Sequence, residues 1–135
     1  MSIPDKSILY VEDQEDTRLL IISALETDGY RVVTARTSSA GLMLAQNSRF
    51  DLYLIDYMLP DGSGIDLCRA IRSFDPTTPI LFLTGVSDPE VRNQAFAAGA
   101  QGYILKPANL QEMRAAMAGL IQESRSATRQ SKKHG

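Results

Sequence analysis

The sequence predicts an α/β fold in which a five-stranded parallel sheet lies between two layers of helices. Short, almost wholly apolar runs alternate along the chain with stretches whose apolar residues have helical spacing. Strands that are buried on both faces have such continuous apolar runs, so the sheet is expected to be parallel and covered on both sides. The length of 135 residues fits one domain with a single core.

The first strand and helix are predicted at the start of the chain. Residues 7–11 are apolar until the run stops at Glu12 and Asp13. From residue 16 to residue 28, leucines and isoleucines recur at helical spacing, and Gly29 supplies a stop. These features predict a strand followed by a helix.

The same alternation continues through the middle of the chain. Residues 31–35 predict the second strand, and Ser38 or Ser39 can cap a second helix that extends to Gln46. Residues 51–56 form another apolar run. This run predicts the third strand.

A helix follows the third strand. Ser63 and Asp66 have the spacing of a capping box, with Asp in place of Glu or Gln, and an apolar stripe follows them. This third helix is expected to end near residues 75–76. Residues 80–84 are again apolar and predict the fourth strand.

The last two units are predicted in the same way. Asp88 is a typical cap before Pro89 at the first helical position, and the fourth helix is expected to continue over residues 91–98 to a stop at Gly99. Residues 102–105 predict the fifth strand. Asn109 can cap a fifth helix whose leucines, isoleucine and methionines share one face.

Strands and helices that alternate at this spacing favour right-handed crossovers and a flavodoxin-like three-layer sandwich, with strand order 2-1-3-4-5. The folded domain is expected to span residues 4–122. Residues 123–135 are rich in Ser, Arg, Lys and Gln without apolar periodicity, so they are predicted to form a disordered basic tail or a truncated linker.

Composition excludes several classes of protein. An apolar content of 44% with 22% charged residues is typical of a soluble globular protein, and no apolar run is long enough to span a membrane. The single cysteine, Cys68, can form neither an internal disulfide nor a cysteine-based metal site. The residues before the first strand do not have the pattern of a signal peptide, so export is not expected. A cytoplasmic location is therefore predicted. The net charge is +3 for residues 122–135 and −5 for the rest.

Polar side chains follow four of the predicted strands, and parallel strands bring their carboxyl ends to one edge of the sheet. These side chains belong to Glu12, Asp13, Asp56, Thr84 and Lys106. Two carboxylates about 4 Å apart repel each other by about 4 kcal/mol at an effective dielectric of about 20. A bound cation is therefore expected to offset this repulsion. Oxygen ligands alone favour Mg²⁺. Asp56, on the central strand, is the expected nucleophile toward a phosphoryl group, with Lys106 holding a phosphoryl oxygen.

At these residues the sequence resembles the receiver domain of two-component response regulators, over about residues 7–122. Five segments carry the resemblance in the family's order and spacing: Tyr10–Asp13, Asp51–Asp56, Tyr57–Gly64, Leu83–Gly85 and Gly102–Pro107. The resemblance implies that Asp56 is the phosphorylated aspartate. It also implies that Glu12 and Asp13 are the acidic metal pair, and that Met58 lends its backbone carbonyl to Mg²⁺.

The resemblance also implies a signalling role. Lys106 is expected to bind the phosphoryl group, and Thr84 and Tyr103 are expected to act as switch residues. The phosphoryl donor would be a histidine kinase or a histidine phosphotransfer protein. A target protein or a second copy would bind the face formed by the fourth helix, fifth strand and fifth helix. Such a domain is a phospho-acceptor, not an enzyme, with self-phosphorylation from small donors and slow self-dephosphorylation.

Other functions on this fold fit the residues less well. A flavin phosphate would be repelled by the acidic residues 12–16 after the first strand. A haloacid-dehalogenase-like phosphatase needs a second acid two residues after the nucleophile, where this chain has Met58. The alternative that this chain is the amino-terminal receiver part of a longer transcription factor or output enzyme, with an output domain beyond Gly135, is also kept. Neither direct nucleic-acid binding by this domain nor a membrane partner is expected.

Overall fold

The computed structural model describes residues 6–106 and 109–134, so Pro107 and the first five residues lie outside the described residues. The main sheet has five parallel strands in the order β2-β1-β3-β4-β5, as the sequence predicts. The strands are β1 (Lys6–Val11), β2 (Tyr30–Ala35), β3 (Leu52–Ile55), β4 (Ile80–Thr84) and β5 (Gly102–Leu105).

Five helices in the described part of the chain connect and cover these strands. They are α1 (Glu15–Thr27), α2 (Ser38–Asn47), α3 (Gly64–Arg72), α4 (Pro89–Ala97) and α5 (Leu110–His134). The predicted α/β three-layer fold is confirmed. No helix in the described part of the chain has the length and apolar character needed to cross a membrane.

The sheet separates two apolar cores because successive side chains of a strand point to opposite faces. Leu9 and Val11 of β1 join the core under α2, α3 and α4. Ile8 and Tyr10 of the same strand join the core under α1 and α5. Burial on both faces explains why the strands have continuous apolar sequences.

Two helix boundaries differ from the sequence prediction, and a predicted cap is confirmed. Thr37, and neither Ser38 nor Ser39, caps α2, since its hydroxyl oxygen accepts a hydrogen bond from the Ala40 amide at 3.1 Å. The predicted Ser63 cap of α3 is confirmed by a 3.1 Å bond from the Asp66 amide. The third helix ends at Arg72, before residues 75–76, because the chain turns where the Asp75 carboxylate accepts bonds from two following amides.

The segment predicted as a disordered tail is helical in the structure up to His134, as part of the 25-residue helix α5. Residues 123–134 contain helix-favouring Arg, Lys, Gln and Ala and neither Gly nor Pro. Arg125 also pairs with Asp51 at 3.0 Å, which ties the helix to the amino-terminal end of β3. The domain boundary near residue 122 stays a prediction.

A short antiparallel ribbon follows β3 and was not predicted from the sequence. Met58–Leu59 pairs with Gly62–Ser63. The Asp61 carboxylate at its tip accepts hydrogen bonds from the amides of Ser38 and Ser39 at 2.7 and 3.0 Å. The ribbon is thereby joined to the start of α2, whose amides have no partner within the helix.

Candidate functional site

Three carboxylates lie together at the carboxyl end of the sheet. Glu12 and Asp13 follow β1, and Asp56 follows its neighbour β3. One oxygen from each carboxylate lies within 4.8 Å of the other two. These residues form a cluster that can hold a metal ion, and its oxygen donors suit a hard divalent cation.

Lys106 brings a positive charge to this cluster from the end of β5. Its ammonium group lies 3.0 Å from Asp56 Oδ2 and also donates to Glu12 Oε1. Burial alone would lower the pKa of Lys106, but the bonds to the two carboxylates outweigh burial and raise it above its ordinary value. The lysine is therefore held in its charged form beside Asp56.

Glu12 is the most enclosed member of the cluster, with no exposed surface. Burial raises the pKa of its carboxyl above the usual range, and the Asp56 charge adds to this, while Lys106 opposes both. The Gln14 amide donates to Glu12 Oε2 at 3.2 Å. A buried carboxylate beside a second one is costly, so an additional cation at this position would stabilise the fold.

The backbone around Asp56 is held from two directions. The Asp56 amide donates to the Val11 carbonyl at 3.1 Å. After Asp56, the Gly64 amide donates to the Tyr57 carbonyl at 2.7 Å, which brings the start of α3 against this segment. A Cβ atom on Gly64 would lie 2.1 Å from the Asp56 carbonyl oxygen, so a close backbone approach requires glycine here.

Met58 lies two residues after Asp56, with its side chain pointing outward. The residue is 65% exposed, and the Met58 amide donates to Asp56 Oδ1 at 3.4 Å. The ribbon fixes this residue opposite Ser63. That placement keeps the backbone of Met58 beside the carboxylate cluster.

Thr84 and Tyr103 lie on the neighbouring strands β4 and β5. The buried Thr84 hydroxyl oxygen accepts a 3.4 Å bond from the Val86 amide. The Tyr103 hydroxyl donates to the Val86 carbonyl at 2.6 Å, and its ring stacks on Phe82 with centroids 6.0 Å apart. Burial raises the pKa of Tyr103, and the Asp56 charge adds to that rise. Both residues therefore contact the loop that leads into α4.

Two residues at the site were missed by the sequence reasoning. The buried Tyr10 hydroxyl donates to Glu12 Oε1 at 3.4 Å, and Asp61 joins the ribbon to α2. A tyrosine within an otherwise aliphatic run is a sequence signal that could have identified Tyr10. Asp61 has no local sequence signal, because its two hydrogen-bond partners lie 22 and 23 residues away in the sequence.

A cavity of about 1020 Å³ lies at the opposite end of the sheet. Arg49, Asp51 and Asp75 are among its lining residues. The carboxylate cluster is separate from it. An open cluster of this kind suits a small group presented by another molecule, such as a phosphoryl group, better than an enclosed organic ligand.

The family model described as the response regulator receiver domain matches residues 8–118. This chain belongs to that family. The match includes all the strands that place the carboxylate cluster, together with Lys106, Thr84 and Tyr103.

Curated relatives of the receiver domain include kinases and regulators. The chain is 37% identical over 120 residues to the sensor histidine kinase AruS of Pseudomonas aeruginosa, covering 86% of this chain and 12% of the kinase. It is 35% identical over 118 residues to the cell cycle transcriptional regulator CtrA of Caulobacter vibrioides, covering 87% of this chain and 51% of CtrA. The chain therefore spans about half of that regulator and a small part of the kinase.

Solved structures show the same architecture. A receiver domain protein described as CheY-like, from Methanospirillum hungatei, has a TM-score of 0.88 and 30% identity, covering 91% of this chain and 98% of that chain. The chemotaxis protein CheY4 of Vibrio cholerae has a TM-score of 0.81 and 31% identity, and the match covers 86% of this chain and 98% of the CheY4 chain. The likeness extends over nearly all of each of these domains, which confirms the flavodoxin-like fold of this receiver domain.

Proposed function

We propose that this receiver domain accepts a phosphoryl group on Asp56 from a histidine kinase or a histidine phosphotransfer protein. The observation that carries the proposal is the position of Asp56. It lies at the end of the central strand, 3.0 Å from the Lys106 ammonium and beside two further carboxylates. A nucleophile, a fixed cation and a set of oxygen ligands are the groups that phosphoryl transfer to a carboxylate needs.

The residues of the chain have separate roles in this transfer. A carboxylate oxygen of Asp56 forms a bond to phosphorus while the bond from phosphorus to the donor's histidine nitrogen breaks, and that nitrogen keeps the electron pair. Lys106 neutralises charge on a phosphoryl oxygen. Hydrolysis of the acyl phosphate by water returns the carboxylate and releases inorganic phosphate, which is the proposed slow self-dephosphorylation.

Mg²⁺ is the cofactor that we propose for the carboxylate cluster. When bound, it would neutralise negative charge on the phosphoryl group and the carboxylates. Glu12, Asp13 and Asp56 would hold it, together with the backbone carbonyl of Met58. The donor set supports this choice, because it contains oxygen atoms without sulfur or imidazole.

Acetyl phosphate tests the phosphorylation site without a partner protein. We expect the wild-type chain with Mg²⁺ to gain about 80 Da, the mass of one phosphoryl group, because the site itself provides the cationic groups. Intact-mass spectrometry measures the gain, and peptide mapping should place the label on Asp56. Asp56→Asn should stay unlabelled. A label on another residue, or no label when a second receiver domain is labelled in parallel, would contradict the proposal.

Asp13→Ala tests the proposed metal ligands. Without Mg²⁺ we expect the free energy of unfolding to rise by about 1 to 2 kcal/mol, because one of three mutually repelling carboxylates is removed. Urea melts in EDTA and in Mg²⁺ measure both states. The variant should lose most of the stabilisation that Mg²⁺ gives the wild type. Equal stabilisation of the two proteins by Mg²⁺ would contradict the metal assignment.

We further propose that phosphorylation is transmitted through Thr84 and Tyr103 to the face formed by α4, β5 and α5. A phosphoryl group on Asp56 adds strong acceptors that would draw the Thr84 hydroxyl away from the Val86 amide. The same loop accepts the Tyr103 hydrogen bond. A movement of Thr84 is thereby linked to the rotamer of Tyr103.

Hydrogen exchange with beryllofluoride, a phosphoryl mimic, tests this switch. In the wild type we expect changed amide protection around residues 84–110. Thr84→Ala should still be labelled on Asp56 by acetyl phosphate but show a weaker change, because the differential contact is lost. Unchanged protection in the wild type would refute the switch and leave the phosphorylation proposal intact.

The proposed partners are a phosphohistidine donor at the carboxylate cluster and a target protein or second copy on the α4, β5 and α5 face. The exposed Phe96 of α4 and Leu105 of β5 support the second assignment. A cytoplasmic location agrees with the single free Cys68, which is buried. The location stays a prediction from the sequence.

A further inference from the structure

A groove of about 340 Å³ lies between β5 and α5, away from the carboxylate cluster. Among residues 6–106 and 109–134, β5 is the last strand of the sheet and pairs only with β4. The groove is lined by Gly102 and Ile104 of β5 and, among others, by Gly119, Glu112 and Glu123 of α5. An open strand edge thus forms one wall, and a helix forms the other.

The open edge of β5 has backbone groups that can pair with another strand. The Gln101 amide donates to the Ile80 carbonyl at 2.9 Å, and Tyr103 lies opposite Phe82. Alternate residues of a parallel strand point to the same neighbour, so the amides and carbonyls of Gly102 and Ile104 point away from β4. Within the described ranges, no loop or side chain forms a hydrogen bond to them. An edge of this kind is a template for an added strand.

The helix wall leaves room above this edge. A Cβ atom on Gly119 would meet nothing within 4 Å. Ala115 and Ala116, which also line the groove, have the smallest side chains after glycine. Side chains of an added strand can therefore enter the groove without displacing α5.

The charge of the groove indicates which kind of added strand it can bind. Glu112 and Glu123 line the groove, no Lys, Arg or His is among its lining residues, and neither glutamate has an ion-pair partner among the described residues. The two glutamates are 11 positions apart on a helix, or about 16 Å. That distance corresponds to about five residues of a strand. Basic residues four or six positions apart lie on one face of a strand and can reach both glutamates.

We propose that this groove binds an extended basic segment of a partner protein, which adds to β5 as a sixth strand. A second copy of β5 would bring a second pair of glutamates to the first, so like charges disfavour that occupant. The inference rests on the proposed function in one respect, since it places a partner on the α4, β5 and α5 face. It does not require phosphorylation of Asp56.

A synthetic peptide tests the proposal on the unphosphorylated full chain. The probe is the capped peptide Ser-Lys-Thr-Val-Thr-Lys-Thr, and the control peptide has Glu in place of both lysines. We expect the basic peptide to bind at least tenfold more tightly. At saturation it should slow amide exchange at Gly102 and Ile104, and leave Tyr103 unchanged because its amide already points to β4. Equal binding of both peptides, or unchanged exchange at Gly102 and Ile104, would overturn the proposal.

Variants on α5 distinguish the contribution of the groove's shape to peptide binding from that of its glutamate charges. Gly119→Leu fills the groove without meeting other atoms at its Cβ, and we expect at least tenfold weaker binding. Ala118→Leu adds the same side chain at an exposed position outside the groove and should bind like the wild type. Glu112→Gln with Glu123→Gln should weaken binding about three- to tenfold, as two exposed ion pairs would.

The remaining outcomes are also decisive. Wild-type affinity in Gly119→Leu would overturn the proposal. A dimer that sedimentation detects without peptide, and whose interface protects Gly102 and Ile104, would overturn the proposal. It would show that the groove binds a second copy of the chain and not a basic segment of a partner. Because acetyl phosphate is absent, none of these results depends on whether Asp56 accepts a phosphoryl group.

Discussion

Lys106→Met is expected to lower the free energy of unfolding by about 3 kcal/mol in EDTA at pH 7.5, because removing one partner leaves buried charges uncompensated. Lys106 pairs with Glu12, which has no exposed surface, and with Asp56, whose side chain is 8% exposed. Methionine keeps most of the side-chain volume, so the loss reflects charge more than packing. Urea unfolding followed by circular dichroism measures it.

The pH dependence of this loss has a definite sign. Burial raises the pKa of Glu12 in the folded state, so a folded chain takes up a proton there more readily than an unfolded one as the pH falls. Without the Lys106 ammonium, that pKa rises further. The difference between variant and wild type should therefore shrink from pH 7.5 toward pH 5.

A matched control separates this buried pair from an ordinary surface pair. Arg69 pairs with Asp66 at 3.3 Å, and both side chains are more than half exposed. Arg69→Met removes a cation of the same sign, and we expect a loss below about 1 kcal/mol at both pH values. A loss for Lys106→Met no larger than that of the control would show that the cluster is hydrated and already balanced without the lysine.

The sequence was sufficient to predict the sheet because burial on both faces leaves a long apolar run for each strand. The boundaries of β4 and β5 were predicted to the residue, since Pro79 precedes one run and Gly102 begins the other. Helix ends were less predictable. Thr37 and the two serines after it have similar capping chemistry, and only the backbone conformation selects among them.

The extension of α5 could not be predicted from periodicity. Apolar spacing ends at Ile121, where the helix leaves the core. Beyond that residue the helix is held by polar contacts to distant parts of the chain, from Ser124 to Thr77 and from Arg125 to Asp51. Contacts of this kind have no local pattern.

The members of the carboxylate cluster could be predicted because parallel strands bring their carboxyl ends together. Glu12, Asp13, Asp56 and Lys106 follow from that rule alone, and the structure brings these four together. The loops around these residues are held by hydrogen bonds between residues that lie 20 or more positions apart in the sequence, as between Asp61 and the start of α2. Loop geometry therefore had to come from the structure.

Gly64→Ala is expected to disturb both the fold and the site. Its Cβ atom would lie 2.1 Å from the Asp56 carbonyl oxygen and 2.9 Å from Ile55 Cγ2, so the backbone must move apart. Overpacking of this kind costs about 2 to 3 kcal/mol. A shift of Asp56 relative to Lys106 should also slow labelling by acetyl phosphate at least about tenfold, since misplacement by about 1 Å is enough for a larger loss.

Gly85→Ala is the matched control, because a Cβ atom at Gly85 meets nothing within 4 Å and its φ is not positive. It should unfold at a urea concentration close to that of the wild type and be labelled at a similar rate. The comparison isolates the close approach of α3 to the Asp56 backbone from the general effect of replacing a glycine. Wild-type labelling in a destabilised Gly64→Ala would show that α3 supports the fold without positioning the nucleophile, and equal stability of the two variants would contradict the steric argument itself.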